Sequence, residues 1–182
     1  MNKVLIIYQS YNGQTKKISD FIQQFLNVKG VSSDIFNVEN LPDIDLSNYS
    51  TVIIGAPVHI QRYSAKLRSW VKKNSQTLNL VPGLFFSVCL GILQKDDPVV
   101  QAAEKNIAER FLKETAWKPT TIAIFGGALT FTQYNYIEKL LMKFIAKKAG
   151  GDTDTKKDFE YTDWHEVKKV IEEFTRPKIS SL

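Results

Sequence analysis

Residues 10–15 read Ser10-Tyr11-Asn12-Gly13-Gln14-Thr15 and place hydroxyl side chains at both ends of a small-residue turn. A short apolar run precedes the turn and an amphipathic one follows it, so it reads as the link between a strand and a helix. Backbone N–H groups, the positive end of a helix dipole and a glycine that permits close approach would then converge on one point. That combination holds a dianion such as a phosphate. The loop has no lysine, so it is neither the triphosphate loop GxxxxGK(S/T) nor the dinucleotide turn GxGxxG. Ser, Asn and Gly are common in any turn, and the loop alone also fits a plain capped helix start.

Other residues with chemistry carry less. His59 sits in the stretch Pro57-Val58-His59-Ile60-Gln61-Arg62-Tyr63, where a lone histidine is as readily exposed as functional. Cys89 has no partner cysteine and reads as a small hydrophobe at a strand end. His165 reads as surface. Asp152, Asp154 and Asp158 lack the calcium-loop pattern and its terminal glutamate, so no metal site is expected.

Elements that could position the loop are legible in the hydrophobic pattern. Continuous apolar runs at residues 3–8, 51–56 and 84–90 read as buried strands, the first on both faces, with 121–125 as the last strand and 34–38 as a weaker one. Between them lie helical periodicities: Ile18, Phe21, Ile22, Phe25 and Leu26; then Leu67, Trp70, Val71 and Leu78 after Ser64; then Ala103, Ile107 and Phe111 after Asp97-Pro98. A last one, Val167, Val170, Ile171 and Phe174, follows Asp163 and Glu166. Alternation of this kind predicts an α/β, doubly wound, five-stranded parallel sheet of order 2-1-3-4-5, with its ligand beyond the carboxyl ends of the strands.

The stretch Ile6-Ile7-Tyr8-Gln9-Ser10 through Thr15 resembles the flavodoxin signature. Gly150-Gly151-Asp152-Thr153-Asp154-Thr155, followed by Tyr161-Thr162-Asp163-Trp164, is similar to the C-terminal signature of the menaquinone-dependent protoporphyrinogen IX dehydrogenases, flavodoxin-like enzymes of haem synthesis. Further similar segments are Ile53-Ile54-Gly55-Ala56, Trp70-Val71-Lys72-Lys73, Phe86-Ser87-Val88, Trp117-Lys118-Pro119 and Gly127-Ala128-Leu129, so the resemblance spans nearly the whole chain.

This resemblance implies that Ser10, Tyr11, Asn12, Gly13, Gln14 and Thr15 hold the phosphate of flavin mononucleotide (FMN). Ala56, Pro57, Val58 and His59, with Ser87, Val88, Cys89, Leu90 and Gly91, would flank its ring; the second loop runs on to Gln94. Arg62, Tyr63 and Tyr134 are candidates for the substrate. The family carries arginine in the loop where this chain has His59, and Arg62 would supply that charge from another position. The flavin carries the redox chemistry, and no side chain is nominated as catalyst. The implied reaction is oxidation of protoporphyrinogen IX with menaquinone or another quinone as acceptor. An electron carrier of flavodoxin type and an FMN-dependent quinone reductase are the alternatives.

The chain of 182 residues suits one domain at residues 1–176 with a short tail at 177–182. A formal charge of +5 favours an anionic partner and disfavours the carrier alternative, whose members are typically acidic. Zinc-finger spacing and basic tracts are absent, so nucleic acid is not expected. A single cysteine, and no apolar run near the ~18 residues of a membrane span, lead us to expect a cytoplasmic protein able to sit peripherally on the anionic cytoplasmic face of the inner membrane. A monomer and a homo-oligomer both remain open.

After the last strand an insertion at about 126–161 interrupts the expected order. Within it Ile137, Leu140, Leu141, Phe144 and Ile145 share one helical face, and Lys139, Lys143 and Lys147 share another, over a helix expected at 134–149. Such a helix packs on its own domain, or docks on a membrane surface or partner.

Overall fold

The computed structural model describes residues 3–91, 97–148 and 150–176, with Lys148 as backbone alone. Expectations placed on residues 92–96, the Lys148 side chain, Ala149 and the 177–182 tail lie outside the described residues.

The parallel sheet comprises β1 (Lys3–Tyr8), β2 (Ser32–Asn37), β3 (Thr51–Pro57), β4 (Gly83–Cys89) and β5 (Thr121–Gly126), in the order β2-β1-β3-β4-β5. Alternate residues of one strand feed different cores. Leu5 and Ile7 join Leu67, Val71, Phe85 and Phe111 on one face. Val4 and Ile6 join Ile18, Ile22, Phe86 and Ile171 on the other. Burial on both faces is why β1, β3 and β4 read as unbroken apolar runs, whereas the edge strands β2 and β5 are only partly buried. Gly55 lies opposite Phe86 in the β3–β4 register, and a Cβ there would come within 1.9 Å of the Phe86 ring.

Helices α1 (Gln14–Val28), α2 (Ala65–Leu78), α3 (Pro98–Thr115) and α5 (Trp164–Thr175) cover the sheet. Ser64 Oγ accepts from Leu67 N at 3.1 Å, Asp97 Oδ1 from Val99 N at 2.8 Å, and Asp163 Oδ1 from His165 N at 2.9 Å, so α2, α3 and α5 each start on a side-chain cap. The inner stripe of α3 corrects the sequence reading. Ala103 is exposed, and the buried residues are Ile107, Ala108, Phe111 and Thr115, with Glu104 half-buried one turn earlier. A strict four-residue spacing drifts off a helix of 3.6 residues per turn, and the real stripe follows the mixed three-and-four spacing.

The insertion folds as a small unit of its own. Strands β6 (Ala128–Leu129) and β7 (Phe159–Glu160) pair antiparallel, and α4 (Tyr136–Lys148) lies between them in sequence. Leu129, Phe131, Tyr134 and Ala146 form its core. Asn135 and Glu138 cap α4 reciprocally: Asn135 N donates to Glu138 Oε2 and Glu138 N to Asn135 Oδ1, both at 2.9 Å. At the other end Gly150, at φ +71°, turns the chain so that Gly151 N reaches Ala146 O at 2.8 Å. The helix therefore begins two residues later than expected, leaving Tyr134 in the preceding turn and buried.

Candidate functional site

A cleft of about 490 Å³ opens at the carboxyl ends of β1, β3 and β4. The connection after β1 runs to one side of the sheet and the connection after β3 to the other, which makes this the switch point at which doubly wound sheets bind ligands. Ser10, Tyr11, Asn12, Gln14 and Thr15 supply one wall; Pro57, Val58 and His59 a second; Val88, Cys89 and Leu90 the floor beside them. The insertion adds Gly127, Ala128, Tyr134, Glu138, Leu141 and Met142. A larger hollow of about 570 Å³ lies between α3 and the β5 edge, lined by Gly91, Glu104 and Ile122 among others, away from the residue 10–15 loop.

The loop itself is built to meet an anion. Gly13 adopts φ +85°, a left-handed conformation that side chains rarely take, and this turn aims the start of α1 at the cleft. Among the described residues no side chain caps α1, and its first turn carries no acidic residue. The positive end of the helix dipole is thus left for a ligand to complement. Ser10 Oγ is buried with no hydrogen-bond partner among the described residues. A buried hydroxyl in that state is costly unless something accepts its proton. The residues present therefore fit a phosphate group.

Contacts between elements hold the walls in place. Asn12 Nδ2 donates to the Tyr134 hydroxyl at 3.2 Å, and Gln14 Nε2 to Thr162 Oγ1 at 2.7 Å. Thr162 Oγ1 in turn donates to Gly126 O at 2.6 Å. The Tyr11 and His59 rings lie 5.1 Å apart and tilted, joining the first and second walls at the rim. Beyond His59 the chain reverses through Ile60 and Gln61, at φ 49° and 56°, closed by mutual His59–Arg62 backbone bonds of 2.9 and 3.1 Å. Two non-glycine residues in this region store backbone strain beside the cleft, and Arg110 steadies the turn by donating to Gln61 O.

Two ionisable groups flank the site. Burial would raise the Glu160 carboxyl, but hydrogen bonds and charge from Lys17 outweigh it and hold the group below its usual range. Burial raises Glu104, which bonds the Cys89 thiol from behind the floor.

Not every sequence candidate lines the cleft. Ala56 and Ser87 are fully buried within their strands. Gly91 lines the α3 hollow, and Gly13 acts through its backbone. Tyr134 does line the cleft, whereas Arg62 and Tyr63 line a separate hollow of about 130 Å³ with Arg68, Arg110 and Glu114. Tyr63 is core: its hydroxyl donates to Ser87 Oγ at 2.8 Å, and its ring meets Phe85 and Phe111 edge-on. Gly127 and Ala128 follow the carboxyl end of the last strand, where the sheet order leads a ligand to be expected, whereas sequence reading missed Glu138, Leu141 and Met142, which only the closing of the insertion brings to the site. Asp158 and Asp152 serve local bonds, accepting from Thr132 N at 2.8 Å and from the Tyr161 hydroxyl at 2.8 Å.

The flavodoxin domain profile matches residues 5–156. The protoporphyrinogen IX dehydrogenase [quinone] of Escherichia coli strain K12 is 32% identical over 171 residues, 94% of this chain and 93% of that protein. The protein of the same name from Leishmania major is 33% identical over 174 residues, 94% of this chain and 74% of its own. Among solved structures, the Megasphaera elsdenii flavodoxin in its two-electron reduced form has a TM-score of 0.52 at 14% identity, covering 66% of this chain and 84% of that one. A Lactobacillus acidophilus flavoprotein solved with FMN has a TM-score of 0.51 at 15% identity, covering 68% and 93%. These two agree with the fold described above. The profile match, the near full-length relatives and the sheet order together place this chain in the flavodoxin domain family.

Proposed function

We propose that the chain binds FMN in this cleft and oxidises protoporphyrinogen IX, passing the electrons to menaquinone or another quinone. The observation that carries the cofactor is the buried Ser10 hydroxyl at the uncapped start of α1. The substrate and acceptor follow from relatives of that name aligned over 94% of this chain.

Held by Ser10 and the loop N–H groups, FMN would supply the redox chemistry, accepting hydrogen from the reduced porphyrin and delivering electrons to the quinone. The protein's part is binding and orientation. Ser10 and the N–H groups of the loop hold the phosphate, while Val58, Val88 and Leu90 with the Tyr11 ring give the flat ring an apolar seat. Asn12 donates to the Tyr134 hydroxyl and so ties the phosphate loop to the wall supplied by the insertion. Glu138 lines the cleft with its carboxylate committed to the α4 cap, which makes it a positioning residue. Among the described residues no helix is long and apolar enough to cross a membrane. We therefore infer a cytoplasmic protein that meets its lipid-soluble acceptor from the membrane surface.

Anaerobic mixing of the FMN-loaded protein with protoporphyrinogen IX should bleach the visible flavin absorbance, and menaquinone should restore it. Absence of bleaching, or equal porphyrin formation by flavin-free protein, refutes the reaction.

A further inference from the structure

Helix α4 turns its apolar face outward. Ile137, Leu140, Leu141, Phe144 and Ile145 recur at helical spacing and are 76, 54, 57, 58 and 39% exposed, with Tyr136 at 76% beside them. The helix is held by a narrow contact instead, through Ala146, fully buried, and half-buried Met142 against Phe131, Tyr134 and Leu129. Large apolar residues scattered singly need no explanation, but a contiguous stripe of this length does. Lys139, Lys143 and Lys147 run along one edge of the stripe, between it and the packed face.

We propose that this face of α4 docks the protein on an anionic lipid bilayer, with the stripe entering the headgroup boundary and the lysines meeting lipid phosphates. Charge selects this occupant over a second copy of the chain. A two-fold pairing through α4 would bring one lysine row close to its counterpart, in a chain already at formal +5. Against an anionic leaflet the same row is attractive. The caps at both ends fit the role: reciprocal Asn135–Glu138 bonds and the Gly150 turn keep α4 helical without a covering partner. Leu141 belongs to the stripe and also lines the cleft, so docking sets the cleft mouth at the lipid surface. Only the value of that placement for a lipid-soluble acceptor rests on the function proposed above; the surface stands on exposure and charge.

The test is co-sedimentation of the full chain with vesicles of phosphatidylethanolamine and phosphatidylglycerol, beside vesicles of phosphatidylcholine alone, at low and high salt. Binding should favour the anionic vesicles and fall with salt. Changing Lys139, Lys143 and Lys147 together to Gln should weaken it on the order of a hundredfold, about fivefold for each lysine. Ile137→Ser with Leu140→Ser should weaken it at least tenfold at low salt, since apolar burial supplies the rest. Because all five residues avoid the core, both variants should melt at the parent temperature, and Lys72→Gln with Lys73→Gln on α2 should change binding less than twofold. Three results would each overturn the proposal. The first is no anionic-vesicle binding by the parent protein. The second is an equal loss on moving the α2 lysines. The third is a dimer in light scattering that Ile137→Ser with Leu140→Ser converts to monomer, which gives the face to a second copy. None of these readouts depends on turnover, so they fail or succeed separately from the reaction.

Discussion

Replacing Ser10 by alanine should move two measurable quantities in opposite directions. In the flavin-free protein the Ser10 hydroxyl is buried without a partner among the described residues, and such a group costs ~1–3 kcal/mol of desolvation. Removing it should stabilise the flavin-free fold by about 1 kcal/mol, or a rise of ~2–4 °C in melting temperature for a chain of this size. With FMN bound, the same hydroxyl donates to a charged phosphate, and its loss should cost ~1.5–3 kcal/mol, roughly 10- to 150-fold in Kd. Riboflavin lacks the phosphate, so its affinity should change less than threefold. Thermal melts of the stripped protein give the first number, and fluorescence titration with FMN and riboflavin gives the second. Equal weakening of both flavins would remove Ser10 from the phosphate site. A lower melting temperature in the stripped variant would show that the hydroxyl has a structural partner.

Gly55→Ala should destabilise by more than ~2 kcal/mol, because its Cβ would lie 1.9 Å from the Phe86 ring; Phe86→Leu should recover part of that loss in a urea double-mutant cycle. Tyr63→Phe should cost about 1 kcal/mol of stability by leaving Ser87 Oγ without its donor, with FMN affinity unchanged; a tenfold loss of FMN would return Tyr63 to the site. Asp34 is held below the usual carboxylate range by hydrogen bonds from Lys3 and from Tyr49, whose own hydroxyl is pushed up to about 12 by burial and by Asp34. Its contribution is present above the unfolded pKa and lost as pH falls through the folded one, so Asp34→Asn and parent should converge in urea midpoint below about pH 4. Burial moves Glu104 the other way: its contribution is full below the unfolded pKa and lost as pH rises through the folded one. The midpoint of Glu104→Gln should therefore gain on the parent as pH rises above about 4, and a constant gap would contradict the burial argument.

The sheet and its order were legible because burial on both faces leaves unbroken runs such as Lys3–Tyr8, whose type and sequence of alternation with helices admit few topologies. The residue 10–15 loop was legible because Gly13 falls where only a left-handed turn can link that strand to that helix. Tyr63 misled because its burial comes from Phe85, Phe111 and Ser87, on elements that local pattern does not connect to it. Glu138, Leu141 and Met142 stayed hidden as cleft residues because the pair that closes the insertion over the cleft, β6 with β7, has two residues per strand, too few for a periodic signal. For α4, periodicity gave the apolar face but not its direction. Only the position of Ala146 and Met142 in the small core shows that Ile137 and Leu140 point outward.

The Thr162 hydroxyl accepts from Gln14 at the start of α1 and donates to the Gly126 carbonyl at the root of the insertion, while Asn12 reaches Tyr134 at the foot of α4. On the proposals above, the phosphate loop and the lipid-docking helix would be fastened at two points, so that ordering one would lower the entropy still to be lost by the other. Two ligands on such a unit obey reciprocity: the factor by which lipid tightens flavin must equal the factor by which flavin tightens lipid. A protein that left the bilayer would then hold its flavin less firmly, and one emptied of flavin would leave the bilayer more readily. Retention of the cofactor and residence at the surface become a single equilibrium, read from either side.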